Sequence, residues 1–198
     1  PGLIDCHVHL RDQQLAYKED FLTGTSAAAA GGVTLVLDMP NNKPVTMDTQ
    51  SLRERMKLAE KRVVNIGFYS AFPKDPKEIP AIVKEGAVAF KIFLSQRIGG
   101  LNIDDNDALL QVFKICEKNG VPVAVHAEDK KMLENASIEM RQGRCSDASA
   151  YVRVHSPDAC VKAIRRVLSL IEKSFSHVHF CHISSAAELA TIKEAKDR

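Results

Sequence analysis

Six short apolar runs alternate with helical patterns along the chain, and this alternation constrains the fold more than any other feature of the sequence. The runs are rich in β-branched residues and almost continuously apolar, as strands of a parallel sheet buried on both faces are. They read LIDCHVHL from Leu3, VTLVLDMP from Val33, VVNIGFYSAF from Val63, AVAFKIFL from Ala87, VPVAVHAE from Val121 and HVHFCHIS from His177. Strand-then-helix units in succession predict an α/β fold with a parallel sheet covered by helices.

Helix signals fill the segments between these runs. One helix is predicted from about Lys18 to the glycine pair Gly31–Gly32, and Asp48 is an N-cap residue for the next. Further helical patterns cover residues 76–86, 104–120, 156–173 and 185–198. The stretch 129–156 has a weaker helical pattern and is interpreted as a loop insertion. The alternation alone leaves both an open doubly wound sheet and a closed barrel possible.

Composition limits which binding partners and which cellular compartment the sequence predicts. The net charge of +2 is too small to indicate nucleic acid or an acidic membrane surface as a partner. No apolar run reaches the roughly 18 residues that a membrane span needs. The 5 cysteines are scattered without a Cys-x-x-Cys pair, which favours a reducing cytoplasm over a disulfide framework. The chain begins at Pro1, and we expect it to be a piece of a longer protein.

Polar side chains recur where the predicted strands end. In parallel α/β folds the chemistry gathers beyond the carboxyl ends of the strands, so such residues are expected to meet there. They are His7 and His9 at the end of the first strand, Asn41 and Asn42 after the second, Lys91 late in the fourth, His126 at the end of the fifth and His182 at the end of the sixth.

His7 and His9 lie two residues apart and therefore share one face of a strand. Two imidazoles at this spacing can bind one metal ion, although either could be an ordinary polar residue at a strand end. His126 and His182 at later strand ends favour the metal site. His182 has the opposite parity to His177 and His179. The prediction is that His182 shares the core-facing side of its strand with Val178 and Phe180.

Lys91 has apolar neighbours on both sides in AVAFKIFL. Burial lowers the pKa of an amine toward neutrality, and a neutral amine can act as a base, form a Schiff base or react with carbon dioxide. The alternative is a lysine whose ammonium group reaches out to water. With the histidines considered, a carbamate that bridges two metal ions is the better interpretation.

Two further expectations concern residues outside this set. His155, beside a Ser-Pro-Asp turn, is expected to be exposed to solvent. Cys6, Cys116, Cys160 and Cys181 are expected to fill packing space.

Five motifs together resemble the amidohydrolase superfamily, in the cyclic amidase branch that contains dihydroorotase, allantoinase and dihydropyrimidinase. In order they are PGLIDCHVHLRD, GGVTLVLDMPNNKP, FKIFLS, VHAED and HFCHIS. The resemblance covers essentially the whole chain and implies a (β/α)8 TIM barrel with two zinc ions. His7 and His9 would hold the first ion, His126 and His182 the second, and carbamylated Lys91 would bridge them.

Arg11 and Asn41 favour the dihydroorotase family within that branch, because its members use such residues to hold the substrate's carboxylate. The implied reaction is the reversible hydrolysis of (S)-dihydroorotate to N-carbamoyl-L-aspartate in pyrimidine biosynthesis, by attack of a metal-bridging hydroxide on the ring amide. Arg11 could instead form a surface salt bridge with Asp12 or Glu19. The segment RDQQLAYKED replaces the common Arg-Glu-Pro-Gly run, which leaves the shape of the first loop open.

The resemblance also implies that residues 1–198 form a partial barrel of about six βα units. The seventh and eighth strands, the aspartate after the eighth strand and a small β-sandwich are expected outside this chain. An isolated six-stranded piece is expected to self-associate and to be inactive, and the full-length protein to be a homo-oligomer acting on a small molecule. An allantoinase or hydantoinase, a non-catalytic scaffold and, more distantly, a metallophosphoesterase are the alternatives.

Overall fold

The computed structural model describes residues 1–143 and 147–197, in which strands and helices alternate. The strands are β1 (Leu3–Val8), β2 (Val33–Asp38), β3 (Asn65–Ala71), β4 (Ala87–Phe93), β5 (Val123–His126) and β6 (Val178–Phe180). The α-helices are α1 (Phe21–Ala30), α2 (Thr49–Leu58), α3 (Ile79–Glu85), α4 (Asn106–Lys118), α5 (Lys130–Gln142), α6 (Ala148–Val154), α7 (Pro157–Ile171) and α8 (Ala186–Lys196).

The strands form one parallel sheet in the order β1-β2-β3-β4-β5-β6. A doubly wound sheet reverses its strand order at a switch point, whereas a barrel adds each strand beside the previous one. The sheet is therefore a half-barrel, and the prediction of an α/β fold with about six βα units is confirmed. The hydroxyl of Tyr69 on β3 donates to the carbonyl of Cys6 on β1 at 3.2 Å, across the inner face.

Two separate hydrophobic clusters lie on the two faces of the sheet. The inner cluster consists of Met39, Tyr69, Ala89, Ala124 and Cys181. The outer cluster packs the sheet against the helices and is larger. On β4, Phe90 and Ile92 belong to the outer cluster, so strand alternation turns Lys91 to the inner face.

Side-chain caps determine where most helices begin. Asp20, Asp48 and Ser185 each accept a backbone N–H in the first turn of α1, α2 and α8 respectively. The first helix begins at Phe21 rather than at Lys18 because Asp20 caps it. Gly86 ends α3 with φ 116°, a left-handed conformation that favours glycine.

The stretch predicted as a loop insertion contains helices α5 and α6. Asp129 caps α5 and Asp147 caps α6, so the weak helical pattern marked real helices. Residues 144–146 lie outside the described part of the chain. Helix α5 packs against α6 and α7, and Tyr151 of α6 lines a cavity together with His126 at the carboxyl end of β5.

Strands β1 and β6 are the edges of the sheet within the described ranges. Leu3 and Ile4 on β1 are 64% and 66% exposed, because nothing in this part of the chain covers that edge. No helix among the described residues is long and apolar enough to cross a membrane.

Candidate active site

The carboxyl ends of β1, β5 and β6 bring the predicted histidines together. The ring centroids of His7 and His9 are 5.3 Å apart, and those of His7 and His182 are 5.4 Å apart. The rings of His126 and His182 lie 4.8 Å apart, nearly perpendicular to each other. Four imidazoles from three strand ends therefore face one volume at the mouth of the half-barrel.

His182 reaches this volume by a break in strand alternation. Strand β6 ends at Phe180, and His182 has φ 39°, in the left-handed region. Val178 and Phe180 pack against the helix-side core, whereas Ala124 pairs in register with His179 on the other face. The prediction that His182 shares a face with Val178 and Phe180 is therefore wrong, because it assumed a regular strand through residue 184.

Lys91 lies inside the half-barrel and is 1% exposed. Its Nζ donates to Cys181 Sγ at 2.9 Å and lies 4.9 Å from the centroid of the Phe93 ring. Burial lowers the pKa of Lys91. The alternative in which its ammonium group reaches outward to water is wrong.

Three of the histidines near Lys91, namely His7, His9 and His182, have lowered pKa values. Burial, followed by the positive charge of Lys91, lowers the pKa of His7 to about 3. Burial is also the main cause that lowers the pKa of His9 and of His182. A neutral imidazole has a free lone pair, which is the form that binds a metal ion.

His126 and His182 fit a shared metal ion. The Nδ1 atom of His126 lies 3.0 Å from Nε2 of His182. Two nitrogens bound to one tetrahedral zinc ion at about 2.0–2.1 Å would be about 3.4 Å apart, so a small opening of this pair would admit the ion. Within residues 1–143 and 147–197, no group of three His, Cys, Asp or Glu side chains is arranged to hold a metal. The expected arrangement gives each ion two histidines and shares Lys91 between them, so such a group is not required.

Glu128 is a site residue that sequence reasoning missed. Its carboxylate is 2.5 Å from His126 Nε2 and 2.6 Å from His155 Nδ1. The hydrogen bond from His126, followed by that from His155, lowers the pKa of Glu128 to about 2. The contact leaves Nδ1 of His126 free to face His182. Its position two residues after His126 in VHAED was the available signal.

His155 is not the exposed loop residue that was expected. It follows α6, bonds to Glu128 and stacks on Tyr151 with ring centroids 4.1 Å apart. The helical turn that contains Tyr151 brings it there. His126, Glu128, His155, Cys181 and His182 are among the residues that line a cavity of about 180 Å³.

Asn41 contacts a predicted metal ligand, and Arg11 lies nearby. Asn41 Oδ1 is 2.7 Å from His9 Nδ1, which places the proton of His9 on Nδ1 and leaves Nε2 with the lone pair. The charge of Arg11 contributes to the lowered pKa of His9, so the two residues are close. In the part of the chain that the structure describes, Arg11 forms no ion pair, and the salt bridge with Asp12 or Glu19 is not seen.

The four cysteines predicted to fill packing space differ in their burial and in their contacts. Cys116 is fully buried in the outer cluster, as expected for a packing role. Cys6 is exposed on the edge strand, so the packing prediction is wrong there. Cys160 is partly buried, and Cys181 packs in the inner cluster while accepting the hydrogen bond of Lys91.

Residues 1–198 match the family described as the amidohydrolase family. The chain belongs to that family. It is 34% identical over 203 residues to a dihydroorotase of Methanosarcina acetivorans, covering 99% of this chain and 42% of that protein. It is 33% identical to a dihydroorotase of Methanothermobacter thermautotrophicus, covering 100% of this chain and 44% of that protein. This amidohydrolase chain thus spans less than half the length of the curated relatives it matches.

Solved structures support the barrel. An L-hydantoinase (dihydropyrimidinase) from Arthrobacter aurescens superposes with a TM-score of 0.93 at 25% identity, covering all of this chain and 45% of that one. A D-hydantoinase from Bacillus sp. AR9 gives a TM-score of 0.87 at 25% identity, covering 100% and 45%. The resemblance to cyclic amide hydrolases inferred from the motifs is confirmed.

Proposed function

We propose that the full-length protein is a zinc-dependent dihydroorotase that opens the ring of (S)-dihydroorotate to N-carbamoyl-L-aspartate, and closes it in reverse. The observation that carries this proposal is the buried amine of Lys91 on the inner face, among four imidazoles. Relatives named dihydroorotase that align with 99–100% of the chain support the choice of substrate.

His7 and His9 would hold one zinc ion, and His126 and His182 the other, with Lys91 between them. Carbon dioxide would add to the neutral amine of Lys91, forming a carbamate and releasing one proton. Carbamylated Lys91 would then supply oxygen ligands to the metal centre. Burial lowers the pKa of Lys91, and this favours the reaction because only the neutral amine has the required lone pair.

The chain's own residues would orient the substrate. When bound, zinc would lower the pKa of a water toward about 7 and polarise the ring carbonyl. Arg11 presents a planar fork matched to the substrate's carboxylate. The side-chain oxygen of Asn41 accepts a hydrogen bond from His9. The NH₂ group of Asn41 therefore remains available to donate to the same carboxylate. The aspartate that would move the proton to the leaving nitrogen is expected beyond this chain, after an eighth strand.

The cellular setting is part of the same proposal. The enzyme would act in pyrimidine biosynthesis in the cytoplasm, as a homo-oligomer without nucleic acid or membrane partners. The free state of Cys6, Cys116, Cys160 and Cys181 supports a reducing compartment.

A hydantoinase or dihydropyrimidinase is the second candidate, and the similarity to the solved L- and D-hydantoinases favours it. Both candidate enzymes would use the same metal ligands, so the choice between them depends on Arg11. A neutral cyclic ureide has no carboxylate for this side chain to bind. A non-catalytic scaffold would hydrolyse none of these substrates.

The test is hydrolysis of dihydroorotate, dihydrouracil, hydantoin and allantoin, side by side, by the full-length protein with zinc. We expect dihydroorotate to be preferred, and Arg11→Ala to lower its kcat/KM by about 30-fold or more, because removing one partner of a buried, hydrogen-bonded charge pair costs about 2–5 kcal/mol. Arg53→Ala, on the exposed side of α2, is the matched control. Preference for a neutral ring would assign the protein to the second candidate.

A further inference from the structure

The loop after β1 holds three consecutive residues in a strained backbone conformation. Arg11, Asp12 and Gln13 have φ angles of 54°, 56° and 51°. Non-glycine residues keep this conformation only where their surroundings impose it. Something must therefore hold this loop, and the first of the three residues is the proposed carboxylate ligand.

A buried ion pair contacts the backbone on both sides of the loop's first residue. Arg55 Nη2 and Nε donate to Asp38 Oδ2 at 2.7 and 3.1 Å, and both side chains are 1% exposed. Asp38 Oδ1 accepts the backbone N–H of Leu10 at 2.8 Å. Arg55 Nη1 donates to the carbonyl of Arg11 at 2.6 Å. The pair thus binds the two peptide units that set the path of the chain into the loop.

Other contacts complete this support from neighbouring elements. The guanidinium of Arg55 lies 4.2 Å from the centroid of the Phe21 ring. Asp12 accepts from the backbone N–H of Phe21 at 3.2 Å, and Asn42 Nδ2 donates to Gln13 Oε1 at 2.8 Å. Asp38 and Asn42 belong to β2 and the segment after it, and Arg55 to α2. The second βα unit therefore holds the loop of the first.

We propose that Asp38 and Arg55 are a positioning pair that holds the backbone at Arg11 so that its guanidinium can bind an anionic substrate. This rests on the proposed function, in which Arg11 takes the substrate's carboxylate. A buried ion pair often adds little stability compared with apolar residues of the same volume. Apolar residues could fill this space, but they could not bond both the Leu10 N–H and the Arg11 carbonyl. Neither member of the pair is assigned a contact with the substrate.

The test compares an anionic and a neutral substrate on the full-length zinc-loaded protein. The variants are Arg55→Lys, Asp38→Asn and the double variant Asp38→Leu/Arg55→Met. The double variant leaves no unpaired buried charge, and so it is expected to fold.

We expect kcat/KM for dihydroorotate to fall about 10- to 100-fold, mainly through KM, since small misplacements of a binding group have effects of this size. Activity on dihydrouracil, which has no carboxylate, should change little. Arg53→Lys on the same helix is the control.

Each outcome bears on the pair separately from the proposed function. The unsubstituted protein tests the function, through its preference for dihydroorotate over dihydrouracil. The variants test the pair, through the loss of that preference, and Arg11→Ala should show the same signature. Equal losses on both substrates, or an unchanged preference in the double variant, would overturn the proposal. A double variant that fails to fold would also overturn it, by assigning the pair to stability alone.

Discussion

At the scale of single residues, the site is built from groups that are unfavourable where they lie. An amine buried like that of Lys91 loses its hydration, and it donates a hydrogen bond to the thiol of Cys181. Burial and the charge of Lys91 lower the pKa of His7 beside it. Such groups are retained at functional sites because they bind or react, at the expense of stability.

Replacing Lys91 with methionine should separate stability from function. Methionine has a similar volume and no charge to desolvate, so we expect the metal-free full-length protein to gain about 1 kcal/mol or more in its free energy of unfolding. Bound zinc and hydrolysis should be lost. Denaturant unfolding and metal analysis measure the two effects. Lys114→Met, at an exposed position on α4, is the control. A clear loss of stability in Lys91→Met would contradict the prediction.

Glu128→Gln tests the carboxylate behind His126. The amide is a weaker acceptor and can also turn its NH₂ toward the ring, so the orientation and tautomer of His126 are less well held. We expect zinc affinity to fall about 10- to 100-fold, as for other groups that orient metal ligands. Competition with a chromophoric chelator measures this affinity. Glu139→Gln, exposed on α5, should leave it unchanged.

At the scale of elements, strand ends carry the site histidines, and the second βα unit holds the loop that follows β1. In helix α2 of that unit, a capping box sets the start and the second turn carries Arg55 to Asp38. Asp48 accepts the backbone N–H of Ser51 at 2.7 Å, and Ser51 returns a contact to the N–H of Asp48.

Removing this cap should lower stability without changing substrate preference. Asp48→Ala leaves the first-turn N–H groups of α2 without their acceptor, and we expect a loss of about 1 kcal/mol in the free energy of unfolding. The ratio of kcat/KM for dihydroorotate and dihydrouracil should stay at its original value, because Arg55 lies a full turn further on. Thermal unfolding and the two-substrate assay check this. A changed ratio would mean that the whole helix shifts.

At the scale of the whole molecule, the described sheet is half of a barrel with two edges. Strand β1 pairs only with β2, and β6 only with β5, within residues 1–143 and 147–197. Unpaired edges offer N–H and C=O groups to other chains, and Leu3 and Ile4 add exposed apolar surface. In a closed barrel these edges would be joined by further strands.

The 198-residue chain expressed by itself should therefore self-associate and show no hydrolysis. Light scattering after size-exclusion chromatography should give a mass above 21.8 kDa that rises with concentration. The full-length protein, whose edges would be paired, should give one mass across the same range. A stable monomer of the isolated chain would show that the edges are protected by some other means.

Much of this protein could be predicted from local patterns in its sequence. Strand and helix periods are local properties, and so the order of the units followed directly from them. The shared face of His7 and His9 and the burial of Lys91 depended only on alternation within one strand. The sequential strand order needed the resemblance, because alternation alone allowed two architectures.

The contacts that tertiary structure decided join residues far apart in the chain. Arg55 meets Asp38 and the Arg11 carbonyl because the second βα unit packs on the first loop. His182 enters the site through a single left-handed residue, and His155 through a helix in a stretch read as a loop. Periodicity fixes which way a side chain points within its own element. Which other side chain it meets is determined only when the packing of the elements sets their separation and relative rotation.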